Sequence, residues 1–419
     1  MKKSKEKINV LKLVAAAAIC VVLLGGGALA AVKLMPLEEA SPVAAAPQKA
    51  EEATATVGSA GDIILHRPFL NSSAYKTEAG YDFSPAFTYV KDIYEKFDLM
   101  AVNLETTLSG EEAGYSGYPM FKSPDSLADA LTSNGADLFL LANNHIYDGG
   151  ASGFLRTSQY LAERGILYTG ARHSEEEKKY LIENISGINI GFVNYVYETP
   201  RSDGSKGING NVMDSSVAGY LNSFDPNDRE PFYEEMEENV AAMKEEGAEF
   251  IIAYLHWGNE YQMEETSWQR EIAQRLCDMG VDALIGGHPH VVQPVDVFTN
   301  SEGDHKMFCA FSVGNQLSNQ RREYVSLSSG HTEDGLIIGL EITRNSDGET
   351  SLTGVEYIPT WVYRSSLGPA YYILPAGESD SLESETGLTG VAGEAAQSYE
   401  RTYGIIGEGV ERVKEAYGF

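Results

Sequence analysis

Cysteine is scarce in this chain, with three among 419 residues. A small disulfide-stapled scaffold is therefore excluded, because such scaffolds are short and dense in cysteine. Cys20 lies in an apolar stretch, where a membrane-buried thiol is favoured over lipidation because Ile19 before it fits a lipidation site poorly. Cys277 and Cys309 fall in segments with the pattern of a buried helix or strand. A bridge between them is one alternative, but a large core needs no staple, and two free buried thiols are favoured.

Positive charge is also scarce. Lysine and arginine total 31 against 61 aspartate and glutamate residues, which gives a formal net charge of -30 and a pI near 4.6. This balance argues against nucleic acid as a partner, because such a partner needs a basic footprint that releases counterions. An anionic substrate would need a local basic site that overrides the acidic field of the whole molecule.

Long apolar runs are rare, and one has the length of a bilayer span. Leu13–Val32 follows a basic start that includes the lysines at positions 2, 3, 5 and 7. The run predicts a signal anchor in residues 1–34, with its short tail in the cytoplasm and everything after Lys33 outside. "ALA" at Ala28 to Ala30 leaves peptidase cleavage as the alternative. The predicted location is the cell membrane, single-pass, with the bulk of the chain extracytoplasmic.

After a predicted Ala-, Glu- and Pro-rich linker over 35–56, strand and helix patterns alternate from Val57 onward. This alternation predicts an α/β fold with helices outside the sheet. The predicted strands include 99–104, 138–142, 165–169, 188–195, 250–255 and 283–286, and the predicted helices 124–134, 154–164, 231–246 and 268–279.

The last third changes character. Lys306–Asn315, Gly335–Arg344 and Val355–Tyr363 have strand patterns without helices between them, which predicts an antiparallel extension of a main domain over 57–365. A loop over Gly377–Gln397 and a terminal helix over Ala395–Tyr417 are predicted within a C-terminal segment, 366–419. The polar stretch 198–230 is too long for an ordinary connection and is either a functional lid or a mobile excursion.

Polar side chains follow the predicted strands. In "LLANNHIYD", Asn143, Asn144 and His145 come directly behind an apolar run. The carboxyl ends of strands in an open α/β sheet meet at one crevice. A carboxylate, amide and imidazole set there suits Zn, Mn or Fe, and the alternative is a hydrogen-bonded polar crevice without metal. The other strand-end residues are Asp62, Asn103, Glu105, His256, His288 and His290, with His66 after "GDIIL".

Seven stretches, in order and spacing, resemble the CapA or PGA-cap family of bacterial capsule synthesis proteins, of the poly-γ-glutamate biosynthesis type. The resemblance covers about residues 56–325, and the family's domain is similar to the calcineurin-like metallophosphoesterases. It implies a four-layer metallophosphatase-like sandwich, here with an antiparallel C-terminal extension and one N-terminal transmembrane helix. The stretches are "SAGDIILHR", "AVNLETTLS", "YPMFKSP", "LLANNHIYDGG", "YLHWGNEYQ", "DALIGGHPHVVQPVDVF" and "AFSVGNQ".

The resemblance implies roles for single residues. His145 matches the histidine that stabilises a reacting group, and it is the predicted catalytic residue. The phosphoesterase pattern Asp-x-His is broken because Ile64 stands where the histidine belongs, and His66 is a candidate substitute. The positions that match metal ligands are Asp62, Glu105, Asn144, His256, His288 and His290.

Basic residues near the same motifs complete the predicted site. Arg67 and Lys122 could hold an anionic group of a substrate, and Asn103 is assigned to the substrate with them. Taken singly, each cation is better explained as a solvated surface charge.

Two functions of different classes remain open. One is metal-dependent hydrolysis or transfer on an anionic cell-surface polymer such as poly-γ-glutamate, assisted by a divalent Mn, Zn or Fe ion. The other is a non-catalytic accessory subunit that binds the polymer beside membrane synthase subunits. The missing Asp-x-His histidine favours the second, and the otherwise near-complete ligand set favours the first.

Overall fold

The structure is a computed structural model that describes residues 49–365, 368, 370–377 and 381–419. The predicted membrane span and most of the predicted linker lie outside this part of the chain. Within it, no helix combines the length and the apolar character that crossing a bilayer requires. Lys49–Phe419 form one unit.

Nineteen strands and eight α-helices lie in the described residues. The strands are β1 (Ala53–Ile63), β2 (Lys76–Thr77), β3 (Gly80–Tyr81), β4 (Leu99–Leu104), β5 (Leu138–Leu140), β6 (Leu167–Thr169), β7 (Tyr180–Ile185), β8 (Ile188–Tyr197), β9 (Gly207–Ile208), β10 (Asn211–Val212), β11 (Ser223–Phe224), β12 (Phe250–His256), β13 (Ala283–Gly287), β14 (Val295–Thr299), β15 (Lys306–Ala310), β16 (Asn315–Leu317), β17 (Asp334–Arg344), β18 (Thr350–Arg364) and β19 (Tyr371–Pro375). The helices are α1 (Arg67–Asn71), α2 (Lys91–Tyr94), α3 (Ser126–Ser133), α4 (Gly150–Glu163), α5 (Glu230–Glu245), α6 (Ser267–Met279), α7 (Leu382–Thr386) and α8 (Ala392–Tyr417).

Two large sheets carry the fold. The first sheet has eight strands in the order β19-β18-β17-β1-β4-β5-β6, with β16 paired to β1. The second sheet has seven strands in the order β11-β8-β12-β13-β15-β14, with β7 paired to β8. β1, β4, β5 and β6 run parallel, as do β8, β12, β13 and β15. Parallel strands end at a common edge, so each sheet brings several strand ends together.

The apolar clusters show how the layers stack. One cluster joins the facing sides of the two sheets, for example Val57 and Leu99 of the first with Phe192 and Ile252 of the second. A second cluster lies between the first sheet and helices α3 and α4, and a third between the second sheet and helices α5 and α6. β4 is buried at every position, as expected for a strand covered on both faces. The order of layers is therefore helix, sheet, sheet, helix.

Local sequence explains where α6 begins and ends. Thr266 Oγ1 accepts from Gln269 N (3.3 Å) and Gln269 Oε1 accepts from Thr266 N (2.9 Å), which is a capping box. Gly280 ends the helix at φ 85°, a conformation that glycine adopts without steric cost. The buried side of the helix includes Ile272 and Leu276.

The predicted α/β class, the helices outside the sheets and the antiparallel pairing of the strands at 335–344 and 355–363, here β17 and β18, are confirmed. β19, which was not predicted, extends this antiparallel part. Cys277 and Cys309 are both free and buried, as the sequence favoured.

Four predicted boundaries differ in the structure. β1 starts at Ala53, inside the predicted linker, because residues 53–59 pair with β17. The predicted strand 306–315 is two strands in different sheets: β15 pairs with β13, and β16 runs parallel to β1, so neither belongs to the antiparallel extension. α7 lies in the predicted loop 377–397, and α8 starts at Ala392. The predicted C-terminal segment is joined to the main domain: β19 pairs with β18, and α8 packs into the apolar cluster between the sheets.

Candidate metal centre and cavity

Asp62 is placed by a bulge at the end of β1. The register of β1 against β4 shifts between Ala60 and Asp62. A Cβ on Gly61 would lie 1.9 Å from the Gly314 carbonyl oxygen, so only glycine permits this close approach of two backbones. Asp62, fully buried, has Asn103 and Asn315 as its register partners. Bulges often re-aim a side chain beside a functional site.

β4 contributes Asn103 and, just past its end, Glu105. Asn103 Nδ2 donates to Asp62 Oδ1 (2.7 Å) and lies 3.3 Å from His256 Nδ1. Glu105 is fully buried, and its Oε1 has no hydrogen-bond partner among the described residues. A buried carboxylate oxygen without a donor is costly unless a cation compensates it.

The turn after β5 carries "NNH". Asn143 Nδ2 donates to the Leu104 carbonyl (2.9 Å) and to Asn103 Oδ1 (3.1 Å), which ties the turn to β4. Asn144 Oδ1 lies 2.8 Å from His256 Nε2. The polar residues at this strand end therefore join the buried cluster.

His256 ends β12, and His288 and His290 follow β13. Both histidines of the "HPH" turn have a positive φ, 96° at His288 and 57° at His290. Such a φ is uncommon for residues other than glycine, and these conformations cluster at functional sites. The backbone N–H of His288 donates to Asp62 Oδ2 (3.2 Å). His290 Nδ1 lies 3.2 Å from the same oxygen and 3.1 Å from Asn315 Oδ1.

The buried carboxylates and histidines of the cluster would be stabilised by a cation between them. Burial, and then the charge of Asp62, raises the pKa of Glu105 well above its usual range. Burial, and then the other histidines, lowers the pKa of His256 and His288 well below the usual value. Neutral imidazole is the form that ligates metal, whereas two adjacent buried carboxylates repel each other until a positive charge lies between them.

Two sets of ligand atoms have the spacing of a metal site. Each set lies within 4.8 Å: Glu105, His288 and His290 in one, and Asp62, Glu105 and His256 in the other. Glu105 belongs to both. Its Oε1 and the Nδ1 of His288 are buried and have no hydrogen-bond partner among the described residues, so both atoms are available to a cation. These residues fit a divalent ion with oxygen and nitrogen ligands.

A cavity of about 550 Å³ opens beside this cluster. His145 and His290 lie in its wall, with Ile64 and His66. His145 Nδ1 lies 2.7 Å from Asp148 Oδ2, and its ring contacts Phe121 edge-on at 4.6 Å. Because His145 Nδ1 is hydrogen-bonded to Asp148, Nε2 is the ring nitrogen that is free for proton transfer.

The long polar stretch 198–230 reaches the same cavity. It contains the β9–β10 hairpin, and Asn209 between these strands lines the cavity, with Nδ2 3.4 Å from His145 Nδ1. Asp214 N donates to the Tyr147 hydroxyl (2.9 Å). Of the two predicted alternatives, the contacts favour a segment that forms part of the site.

The structure brings most of the predicted site together. Asp62, Glu105, His256, His288 and His290 form the cluster, Asn144 touches it, and His145 faces the cavity.

The predicted substrate residues lie differently. Arg67 is exposed and Lys122 donates to the Ala113 carbonyl (2.9 Å), and neither lines the cavity. Asn103 is 6% exposed and holds Asp62, so it supports a ligand instead of facing a substrate. His66 lines the cavity but belongs to neither ligand set; burial lowers its pKa to about 3.

Four residues at the site were not selected from the sequence. Asp148 follows His145 by three positions, a spacing that one turn of chain can close. Asn315 stands in "SVGNQ", behind an apolar run, and carried the same strand-end signal as the selected residues. Asn209 and Glu260 lie in loops, where no periodicity fixes the direction of a side chain.

Fold and site together define an α/β protein with a candidate divalent-metal centre at the carboxyl ends of its parallel strands. Residues 56–320 match the family described as bacterial capsule synthesis protein PGA_cap, and the chain belongs to that family. The matched residues include every member of the buried cluster.

Curated relatives carry related names. The PGA biosynthesis protein CapA of Bacillus subtilis (strain 168) is 23% identical over 295 residues, which cover 67% of this chain and 68% of the relative. The capsule biosynthesis protein CapA of Bacillus anthracis is 24% identical over 66% of this chain and 63% of its own length. A probable polyglutamine synthesis accessory protein of Mycobacterium tuberculosis (strain CDC 1551 / Oshkosh) is 27% identical over 48% of this chain and 52% of its own length.

Among solved structures, NAD nucleotidase (NadN) of Haemophilus influenzae aligns over 88% of this chain and 68% of its own, at 14% identity and a TM-score of 0.44. A likeness of this size carries no argument about fold or activity.

Proposed function

We propose that this protein acts outside the membrane, as an anchored CapA-like protein, in the synthesis, export or processing of an anionic capsule polymer such as poly-γ-glutamate. The observation that carries the proposal is the buried cluster in which Glu105 belongs to both ligand sets, next to a cavity of about 550 Å³. Membership in the PGA_cap family and the names of the Bacillus relatives support the choice of polymer.

The arrangement supports a metallophosphatase-like site. Asp62, Glu105, Asn144, His256, His288 and His290 would hold one or more divalent ions, of which Mn, Zn and Fe suit the donor set. When bound, such an ion supplies Lewis-acid polarisation and lowers the pKa of a coordinated water toward 7. The chain itself contributes the dry, buried setting in which these charges interact strongly.

His145 is the proposed proton-transfer residue. Asp148 holds Nδ1 at 2.7 Å and also accepts from the Phe121 backbone N–H (2.5 Å), so the carboxylate is itself fixed in place. This pair orients the ring and presents Nε2 to a group in the cavity, where it can donate a proton to a departing atom or stabilise developing negative charge.

A non-catalytic accessory role is the second candidate, and a specific observation favours it. Ile64, 1% exposed, occupies the cavity wall where the phosphoesterase pattern has a histidine. One ligand of a two-ion centre would then be missing. In this role the cavity would bind the polymer while membrane synthase subunits perform the chemistry, in keeping with the name of the mycobacterial relative.

Metal content tests the proposal. The full-length chain, stripped and then reconstituted, should retain a transition ion in elemental analysis. His288→Ala should weaken metal affinity about 10-fold or more, since disturbing a metal's surroundings typically costs that much. His331→Ala is the matched control, because His331 bonds to Ser329 in a polar loop. Wild type that retains no transition ion after reconstitution would contradict the proposed metal centre.

A further inference from the structure

The cavity beside the metal cluster carries an unexpected charge. Among its described lining residues there is no lysine or arginine, and the one carboxylate is Glu260. An anionic polymer would be expected to meet cations there. Among the side chains of the wall, Glu260 therefore marks a place that favours a positively charged group over a carboxylate.

Glu260 is held at the cavity by its neighbour. The Tyr261 N–H donates to the Pro289 carbonyl (2.8 Å), and Tyr261 has a positive φ of 65°, so this loop is fixed to the turn that carries His288 and His290. Glu260 is exposed, and among the described residues its carboxylate makes no hydrogen bond and no ion pair, so it is free to meet a ligand.

Aromatic side chains surround the same space. Tyr118, Tyr261 and Tyr324 line the cavity, and Tyr118 and Tyr324 are 77% and 63% exposed. The face of a tyrosine ring attracts a cation. Asn209 and Gln320 add neutral acceptors to the wall.

Cations lie just outside. Arg364 Nη1 donates to the Tyr324 hydroxyl (2.9 Å), and the Arg364 guanidinium lies over the Tyr324 ring, 5.8 Å from its centre. Arg67 is exposed, and its backbone abuts Gly117, next to Tyr118 in the chain. Negative charge inside the cavity and positive charge around it would match a ligand with the opposite arrangement, a cationic end on an anionic body.

The size and chemistry of the cavity limit the classes of ligand that fit it. About 550 Å³ is the volume of a small-molecule site, enough for a chain end and too small for the body of a polymer. A second metal ion at Glu260 is disfavoured because, among the described residues, Glu260 belongs to neither set of ligand atoms with metal-site spacing. A primary ammonium group needs only a carboxylate and neutral acceptors for its three donors.

We propose that this cavity binds the free amino end of an amide-linked, carboxylate-bearing chain, with Glu260 facing the ammonium group, Tyr118 beside it, and Arg67 and Arg364 near the chain's carboxylates. The inference rests on the proposed function, since it names the part of the polymer that reaches the metal centre.

The test compares two probes on the full-length protein by isothermal titration calorimetry. The probes are tri-γ-glutamate with a free amino end and the same peptide N-acetylated. We expect wild type to bind the free-amine peptide about 10-fold tighter or more, the size of a hydrogen bond to a charged group. Glu260→Gln should abolish this preference. Glu264→Gln is the matched control, because it removes a charge from the same loop at an exposed position outside the cavity lining, and it should keep the preference.

Charge reversal gives a second, independent measurement. Glu260→Lys should invert the preference and bind N-succinylated tri-γ-glutamate tighter than the free-amine peptide. Equal affinities in wild type, binding of neither peptide, or a preference that survives in Glu260→Gln would overturn the inference.

Metal analysis of the same samples separates the two proposals. Metal present without an amine preference refutes the inference and leaves the metal centre standing. An amine preference without bound metal supports the inference and refutes the metal centre. Loss of metal in Glu260→Gln would make Glu260 a metal ligand and would also overturn the inference.

Discussion

His145 is the residue at which an enzyme and a binding subunit differ most. It is 7% exposed, lies in the cavity wall and belongs to neither ligand set. His145→Ala should therefore leave metal content unchanged. If the protein is an enzyme, turnover of the polymer should fall about 10²–10⁴-fold, the usual loss when a general acid or base is removed. If it is a binding subunit, the same change costs about 1–3 kcal/mol of affinity at most.

Polymer chain length, in cells and with purified protein, is the measurement for this variant. A second variant, Asp148→Asn, tests the same role, because Asp148 orients the His145 ring. In this variant turnover of the polymer should fall while peptide affinity stays unchanged. His331→Ala should behave as wild type. Normal surface polymer in His145→Ala, together with wild type that never cleaves or transfers a candidate polymer with metal present, would rule out catalysis.

Strand-end residues were predictable from the sequence because the backbone fixes them. Asp62, Glu105 and His256 each end or follow a buried apolar strand, and parallel strands deliver their ends to one edge. Arg67 and Lys122 stand in the same motifs, yet their long side chains point where local contacts lead them, and for Lys122 that is the Ala113 carbonyl. Proximity in sequence to a motif therefore predicts a strand end well and the direction of a flexible side chain poorly.

Among the elements, α8 depends on one glycine for its position. A Cβ on Gly409 would lie 1.8 Å from the Val295 carbonyl oxygen, so the helix touches β14 through bare backbone. Gly409→Ala should destabilise the fold by about 1–3 kcal/mol through overpacking, although alanine is the better helix former.

Gly404 is the matched control for this prediction. It lies in the same helix with nothing within 4 Å of its added Cβ. Gly404→Ala should stabilise the protein by about 0.5–1 kcal/mol. Urea unfolding followed by circular dichroism measures both. Equal shifts in the two variants would show that α8 does not rest on β14 as closely as described.

The same scale shows where element prediction fails. β4, α3 and α6 lie within a residue or two of their predicted bounds because each has a clean apolar pattern and a signal at its ends. Residues 307–313 are apolar except for Ser312, and this one polar residue is a weak local signal for the division into β15 and β16. The division is imposed by long-range pairing, since Asn315 pairs with Asp62 in the other sheet.

For the molecule as a whole, the net negative charge opposes binding of an anionic polymer at the proposed site. A net charge of -30 repels an anionic polymer at long range, and salt screens that repulsion within about 8–10 Å at physiological ionic strength. Approach of such a polymer therefore depends on local features: a divalent ion in the buried cluster, and the cations outside the cavity. An uncharged or amine-bearing end can enter where the polymer's body cannot.

The orientation of the whole chain is the last prediction. Lysines at positions 2, 3, 5, 7 and 12 precede the apolar run Leu13–Val32, and no second apolar run of that length appears in the sequence. By the positive-inside rule the lysines stay in the cytoplasm, so residues after Lys33 should face outward. An alkaline phosphatase fused after Phe419 should be active in cells, and a fluorescent reporter that matures only in the cytoplasm should be dark. Replacing the lysines at positions 2, 3, 5 and 7 by glutamate should weaken this orientation, because it removes the charges that set it. A cytoplasmic reporter that is bright in the wild-type fusion would refute the predicted topology, and with it the proposal that the cavity meets a polymer at the cell surface.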